Sequence, residues 1–122
     1  MKPSDARIFH VDDSEIARHE VVEAANRIGA TVVASAASFE EARAGLGEIE
    51  ALCINVVLTD ENLSTDTPYE GRYVFDIVRA KYPGVHVLSV SGGVRMSQDL
   101  GIPHIPDKGT DSAALKAAIE AL

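Results

Sequence analysis

Cysteine is nearly absent from this 122-residue chain: Cys53 is the only one, so no intramolecular disulfide can form. It lies in an apolar stretch and reads as a small buried hydrophobe rather than a reactive thiol. No apolar run reaches the length that crosses a bilayer, because the longest, near Leu52–Leu58, is interrupted by Asn55. The amino terminus, Met1-Lys2-Pro3-Ser4-Asp5, lacks the apolar stretch and small-residue cleavage site of a signal peptide. Positive charge is scarce too: 11 Lys and Arg stand against 19 Asp and Glu, a net charge of −8. That argues against binding a nucleic-acid backbone, which needs a basic patch. There is no zinc-type Cys/His spacing, no Gly-x-Ser-x-Gly, no Walker loop, no internal repeat and no low-complexity tract. These absences leave one globular domain over residues 1–122, expected in the cytoplasm, with neither membrane nor nucleic acid as a partner.

What the chain does have is strand–helix alternation. Ile8-Phe9-His10-Val11 is a short continuous run ending in two aspartates. From Ser14, residues Ala17, Val21, Ala24 and Ile28 recur at helical spacing, and Gly29 suits the position just past a helix. Thr31–Ala34 predicts a second strand. Ser38-Phe39-Glu40-Glu41 is a capping-box pattern, opening a short helix that ends near Gly45 or Gly47. Leu52–Thr59 predicts a third strand, again ending at an acid, Asp60. Asn62 to Glu70, with Pro68, reads as a loop, Tyr73 to Tyr82 as a helix stopped by Pro83-Gly84, and Val85–Val90 as a fourth strand. Residues 94–101 hold at most a short helix, and His104-Ile105 a brief fifth strand. Asp111 to Leu122 is a last helix, capped by Thr110 or Asp111. Such alternation predicts an α/β fold, a doubly wound five-stranded parallel sheet of flavodoxin-like order 2-1-3-4-5.

Ligands in such sheets bind beyond the carboxyl ends of the strands. Four predicted strands end in a reactive or polar group: Asp12 and Asp13 after the first, Asp60 after the third, Ser91 after the fourth and Lys108 after the fifth. With strands one and three adjacent, Asp12, Asp13 and Asp60 converge in one crevice. Three close carboxylates repel unless a cation joins them. Lys108 supplies one positive charge. A divalent metal would supply the rest, and a small set of hard oxygens suits Mg²⁺ with waters and a substrate phosphate completing its shell. The chemistry such a setting favours is a carboxylate nucleophile that forms an acyl phosphate. Mg²⁺ and Lys108 would offset charge on the phosphoryl oxygens, and the Ser91 hydroxyl would donate one hydrogen bond.

The ordered set Val11-Asp12-Asp13-Ser14, Leu58-Thr59-Asp60-Glu61-Asn62, Val90-Ser91-Gly92 and Asp107-Lys108 resembles the CheY-like receiver domains of two-component response regulators, across essentially the whole chain. The resemblance implies that Asp60 is the phosphoacceptor, Asp13 a direct metal ligand and Asp12 a ligand acting mostly through water. It further implies that Asn62 offers its backbone carbonyl to the metal, Ser91 is the switch hydroxyl and Lys108 binds phosphate. A sensor histidine kinase or phosphotransfer protein would be the donor, Mg²⁺ the cofactor, and an output protein the partner. The domain would catalyse only its own phosphorylation and dephosphorylation. The chain also departs from the family pattern. Gly109 stands where a proline is usual, and Ile105 where an aromatic is usual. Gly71 lies eleven residues after Asp60, where the family's glycine lies eight after its phosphoacceptor. The segment from Ser91 to Lys108 is shorter than usual, which predicts a shortened or missing fourth helix.

Each group also has a plainer reading. Asp12 and Asp13 can favour the positive end of the first helix, and Asp60 can be a solvated loop acid. Ser91 can be a turn residue, with Ser89 its rival on the same side of the strand. Lys108 can be a surface lysine. Their joint order at strand ends favours the phosphoacceptor. His10 is expected to be a buried, hydrogen-bonded core residue, and His19, His86 and His104 have no metal-ligand spacing. Tyr69, Tyr73 and Phe75 are expected in loop and helix packing. The main alternative is a pseudo-receiver, an interaction module that keeps the fold without using phosphate. A haloacid dehalogenase-type phosphotransferase or hydrolase needs Asp-x-Asp after strand one, whereas the aspartates here are adjacent, so it ranks third.

Overall fold

A computed structural model of the chain describes residues 1–64 and 66–122. Its elements run β1 (Arg7–Val11), α1 (Glu15–Ile28), β2 (Thr31–Ala36), α2 (Phe39–Leu46), β3 (Val56–Thr59), α3 (Glu70–Lys81), β4 (His86–Ser89), α4 (Arg95–Leu100) and α5 (Ser112–Glu120). The strands form one sheet in the order β2-β1-β3-β4, and every pairing is parallel.

Successive strand residues point to opposite faces, and here both faces are buried. Ile8, Val56, Leu58 and Leu88 pack with Val21 and Ala24 of α1 and with Leu115 and Ile119 of α5. Phe9, Val11, Val57 and Val87 pack on the other face with Ala42 and Leu46 of α2 and with Val74 and Val78 of α3. Two layers of core explain why the strands read as continuous apolar runs. The helix ends follow local chemistry. Ser14 Oγ accepts from Ala17 N at 3.2 Å, and Ser38 Oγ from Glu41 N at 3.2 Å. Gly29 ends α1 at φ 81°, a left-handed conformation that glycine adopts without a side-chain clash. Asp111, not Thr110, caps α5, because its Oδ1 accepts from the amides of Ala113 and Ala114.

Several expectations need correction. The fifth strand is reduced to a single bridge between Ser89 and His104. Ser89 donates to Pro103 O and accepts from Ile105 N, each at 2.8 Å. The next rung toward the start of β4 would need an N–H from residue 103, and a proline has none. After Ile105 the chain turns at Pro106 into left-handed Asp107, so the pairing cannot grow in that direction either. The sheet is therefore four-stranded. Residues 95–100 form the six-residue α4, so a fourth helix is present.

The third strand is also shorter than predicted, because Glu48 to Cys53 fold into turns and Cys53 adopts a left-handed φ of 54°. That turn exposes the Cys53 thiol, which is not a buried hydrophobe. Asn55 ties this segment to the sheet through its side chain, accepting from Arg7 N and donating to Asp5 O, both at 2.8 Å. α3 begins at Glu70, three residues before the expected start at Tyr73. The loop expected over Asn62 to Glu70 includes Thr65, which lies outside the described residues.

Candidate functional site

The carboxyl ends of β1 and β3 bring three acids together. Carboxylate oxygens of Asp12, Asp13 and Asp60 all lie within 4.8 Å of one another. Asp12 is fully buried and Asp60 nearly so, while Asp13 is exposed. Each buried acid has one oxygen anchored by a local amide. Asp12 Oδ1 accepts from Ser14 N at 2.9 Å, and Asp60 Oδ1 from Glu61 N at 2.8 Å. The second oxygens face Lys108, whose Nζ stands 2.6 Å from Asp60 Oδ2 and 3.5 Å from Asp12 Oδ2. Asp107, Lys108 and Gly109 all have positive φ, 55°, 59° and 77°. That tight turn is how the lysine reaches the acids from a segment that forms no strand.

The charges answer to this packing. Burial raises the Asp12 carboxyl above its ordinary range, and the Ser14 amide and Lys108 only partly counter it; Asp60 and Asp13 add to the rise. Burial opposes the charge on Lys108, but the hydrogen bond and charge of Asp60, with Asp12 and Asp13 behind, hold its ammonium above the usual value. Asp12 Oδ2 is a buried oxygen without a hydrogen-bond partner among the described residues. An orphaned carboxylate oxygen within a cluster of hard ligands fits a divalent cation such as Mg²⁺.

The other expected residues are placed less directly. Ser91 is buried, and its hydroxyl donates to Gly93 O at 2.6 Å. Its rival Ser89 is fully buried, with Oγ 3.3 Å from His104 Nδ1. Asn62 follows Asp60 by two, and its side-chain Oδ1 accepts from Tyr69 N at 3.0 Å. Gly71 donates its amide to Glu61 O at 2.8 Å. A Cβ there would stand 1.8 Å from Asp60 O, so only glycine lets α3 approach the strand end this closely. A groove of about 380 Å³, lined by Phe75, Val78, Val85 and Ile102 among others, sits at the amino end of β4, away from the acids.

Two features escaped the reading of the sequence. Arg72 forms ion pairs with Glu61 Oε2 at 2.7 Å and Asp99 Oδ2 at 2.9 Å, which couples the residue after Asp60 to α4. Its guanidinium and that of Arg95 lie over the Tyr69 ring, at 5.3 and 5.5 Å from its centroid, so the packing expected of Tyr69 is a cation–π contact. Nothing in residue spacing announces such a network, because its members come from three segments. His10 is the second. It is buried as expected, but neither ring nitrogen has a hydrogen-bond partner among the described residues, so the expected hydrogen bond is missing. Burial, reinforced by Arg18 and Lys108, pushes its pKa down to about 4, so the ring is neutral at pH 7.

No family model matches the chain, and no curated protein sequence matches it. Solved structures do. The isolated receiver domain of RcsB from Salmonella enterica serovar Typhimurium, with the phosphomimetic BeF3⁻, aligns at TM-score 0.74 and 17% identity, over 95% of this chain and 88% of that one. The chain has the fold of a CheY-like receiver domain. A receiver domain protein from Methanospirillum hungatei JF-1 aligns at TM-score 0.73 and 24% identity, covering 95% and 91% of the two chains. Chemotaxis response regulator CheY4 of Vibrio cholerae aligns at TM-score 0.70 and 21% identity, covering 96% and 98%. Of longer RcsB chains, this one spans 58% and 60%. In this receiver fold Ile105 is wholly buried in the layer beneath α1 and α5, and a Cβ at Gly109 would stand 3.2 Å from Val90 Cγ1. None of the described helices is long and apolar enough to cross a membrane.

Proposed function

We propose that residues 1–122 are a phosphoacceptor receiver, a signalling switch that takes a phosphoryl group onto Asp60 from a histidine kinase or phosphotransfer protein. The observation that carries this reading is the meeting of Asp12, Asp13 and Asp60 within 4.8 Å, with Lys108 Nζ 2.6 Å from Asp60. Asp13, Asp60 and the Asn62 carbonyl would hold Mg²⁺ directly, and Asp12 through water. When bound, the ion supplies positive charge beside the phosphoryl oxygens. The chain's own groups do the rest. The Glu61 amide holds Asp60 Oδ1, which leaves Oδ2 turned to the pocket as nucleophile. That oxygen attacks the phosphorus, the bond to the donor's imidazole nitrogen breaks, and the nitrogen keeps the electron pair. Lys108 passes from the carboxylate to the new phosphoryl oxygens. The Ser91 hydroxyl, now on Gly93 O, would turn to donate to them. Hydrolysis of the acyl phosphate by water resets the switch.

The partner is an output protein rather than nucleic acid or a membrane, in keeping with the net charge of −8, and the domain works in the cytoplasm. The test is incubation with acetyl phosphate and Mg²⁺, followed by intact mass measurement. One phosphoryl group should be gained, and Asp60→Asn should gain none. A parent protein that stays unmodified would favour the pseudo-receiver instead. Full modification of Asp60→Asn would overturn the assignment of the site.

A further inference from the structure

His10 is a polar residue at a position that needs none. It lies on the face of β1 that carries Ile8, and it pairs across the sheet with Leu58. An aliphatic side chain would pack there and strand no polar atom. His10 instead leaves both ring nitrogens unpartnered, and the one other buried side-chain atom in that condition among the described residues is Asp12 Oδ2. These atoms face each other: His10 Nε2 is 4.0 Å from Asp12 Oδ2, which also has Lys108 Nζ at 3.5 Å but accepts no hydrogen bond among the described residues, and the His10 and Asp12 side chains are fully buried.

A neutral imidazole has one N–H and one acceptor nitrogen, and its tautomer follows the partner that is present. Asp12 Oδ2 is the acceptor facing Nε2. The other Asp12 oxygen is already held by the Ser14 amide. A shift of about 1 Å between the two side chains brings the pair from 4.0 Å to hydrogen-bond distance. Groups that hydrogen-bond a metal-binding carboxylate from behind fix its orientation and its strength as a ligand.

Resting on the receiver reading for the role of the pocket, we propose that His10 is a positioning residue for Asp12: its neutral ring donates Nε2–H to Asp12 Oδ2 and holds that carboxylate toward Asp13 and Asp60. It touches neither the phosphoryl group nor the metal. Its effect passes entirely through Asp12.

Two measurements on the whole chain test this. A long-range ¹H–¹⁵N spectrum of the imidazole, recorded without metal, should show His10 as the Nε2–H tautomer, with that proton protected from solvent exchange. The Nδ1–H tautomer would overturn the proposal. Mg²⁺ titration, followed by the amide resonances of Ser14 and Glu61, should then give an affinity about 10-fold weaker for His10→Leu. His10→Gln, whose amide nitrogen can stand where Nε2 stands, should stay within about threefold of the parent, whereas His10→Asn, which mimics Nδ1, should behave as His10→Leu. His10→Met, close to Gln in length and volume but with no N–H to donate, should behave as His10→Leu, which separates the hydrogen bond from packing. Equal affinity of parent and His10→Leu, or equal behaviour of Gln and Asn, would sink the role of His10. A parent that binds no Mg²⁺ yet shows a protected Nε2–H would uphold the His10–Asp12 contact while removing the metal from the proposed function.

Discussion

Lys108 Nζ lies 2.6 Å from Asp60 Oδ2, a contact between residues 48 positions apart in the chain. It is the only side-chain cation this close to the carboxylates of Asp12 and Asp60 among the described residues, with Asp12 Oδ2 3.5 Å away. Removing it leaves acids whose charges repel and whose solvation is poor. Lys108→Met should therefore destabilise the fold at pH 7 by about 1–3 kcal/mol, less than a fully buried pair because the lysine is a third exposed. Mg²⁺ should restore part of that loss, since a divalent ion can take over the missing charge. Urea melts of parent and variant, with and without Mg²⁺, measure both effects. A variant as stable as the parent without metal would contradict the account.

Gly71 offers a purely steric prediction. A methyl group at this position would overlap the carbonyl oxygen of Asp60, at 1.8 Å. Backbone cannot yield as a flexible side chain does, so Gly71→Ala should cost at least about 2–3 kcal/mol. It should also shift the amide resonances of Asp60 and Glu61. Gly84→Ala, with nothing within 4 Å of the added atom, is the control and should be close to neutral.

His10 should make the protein sensitive to mild acid. Its folded pKa is about 4 against an ordinary 6.5, because burial disfavours the charged ring. Between those values the unfolded chain takes a proton that the folded chain refuses. Stability from this group is complete above about pH 6.5 and falls as pH drops toward 4, by on the order of 3 kcal/mol. Asp12 works in the opposite sense, since burial raises its carboxyl and the folded chain binds that proton first. Unfolding free energies from pH 4 to pH 8 should thus decline on the acid side in the parent and decline less in His10→Leu. Parallel curves for the two proteins would rule out His10 as the cause.

Arg72 is expected to hold two segments in register. It pairs with Glu61, the residue after Asp60, and with Asp99 on α4, and Glu61 is nearly buried. Arg72→Ala leaves a buried carboxylate without its cation, at a cost of about 1–3 kcal/mol. Amide exchange should accelerate in residues 62–71 and 92–101, with the α5 helix unaffected. Exchange that rises in α5 but in neither loop would show that the network does not couple these segments. Under the proposed function, this coupling would offer a phosphoryl group on Asp60 a path to α4 that requires no aromatic at Ile105.

What was legible in the sequence was short-range or periodic. Ser14, Ser38, Asp111 and Gly29 act within a few residues of themselves, so their spacing was enough to place helix ends. Alternation of apolar runs with helical periodicity placed four parallel strands, and with them the acids at the strand ends. The Pro103 that truncates the fifth strand was visible as well, but its effect depends on which carbonyl of β4 it faces, and that is a matter of register.

The remaining features depend on residues distant in the chain. Whether Cys53 is buried follows from the direction of a turn, and an apolar neighbourhood in sequence carried no information about that. The Arg72 network joins a strand end, a helix and α4, so no local pattern encodes it. His10 reads in sequence as an ordinary core histidine, and only packing leaves both its ring nitrogens without a hydrogen bond among the described residues, with Nε2 4.0 Å from Asp12 Oδ2. Local hydrogen bonds and periodicity are properties of a few neighbouring residues. Burial, and the choice of partner for a buried charge, exist only once separate segments have closed around it.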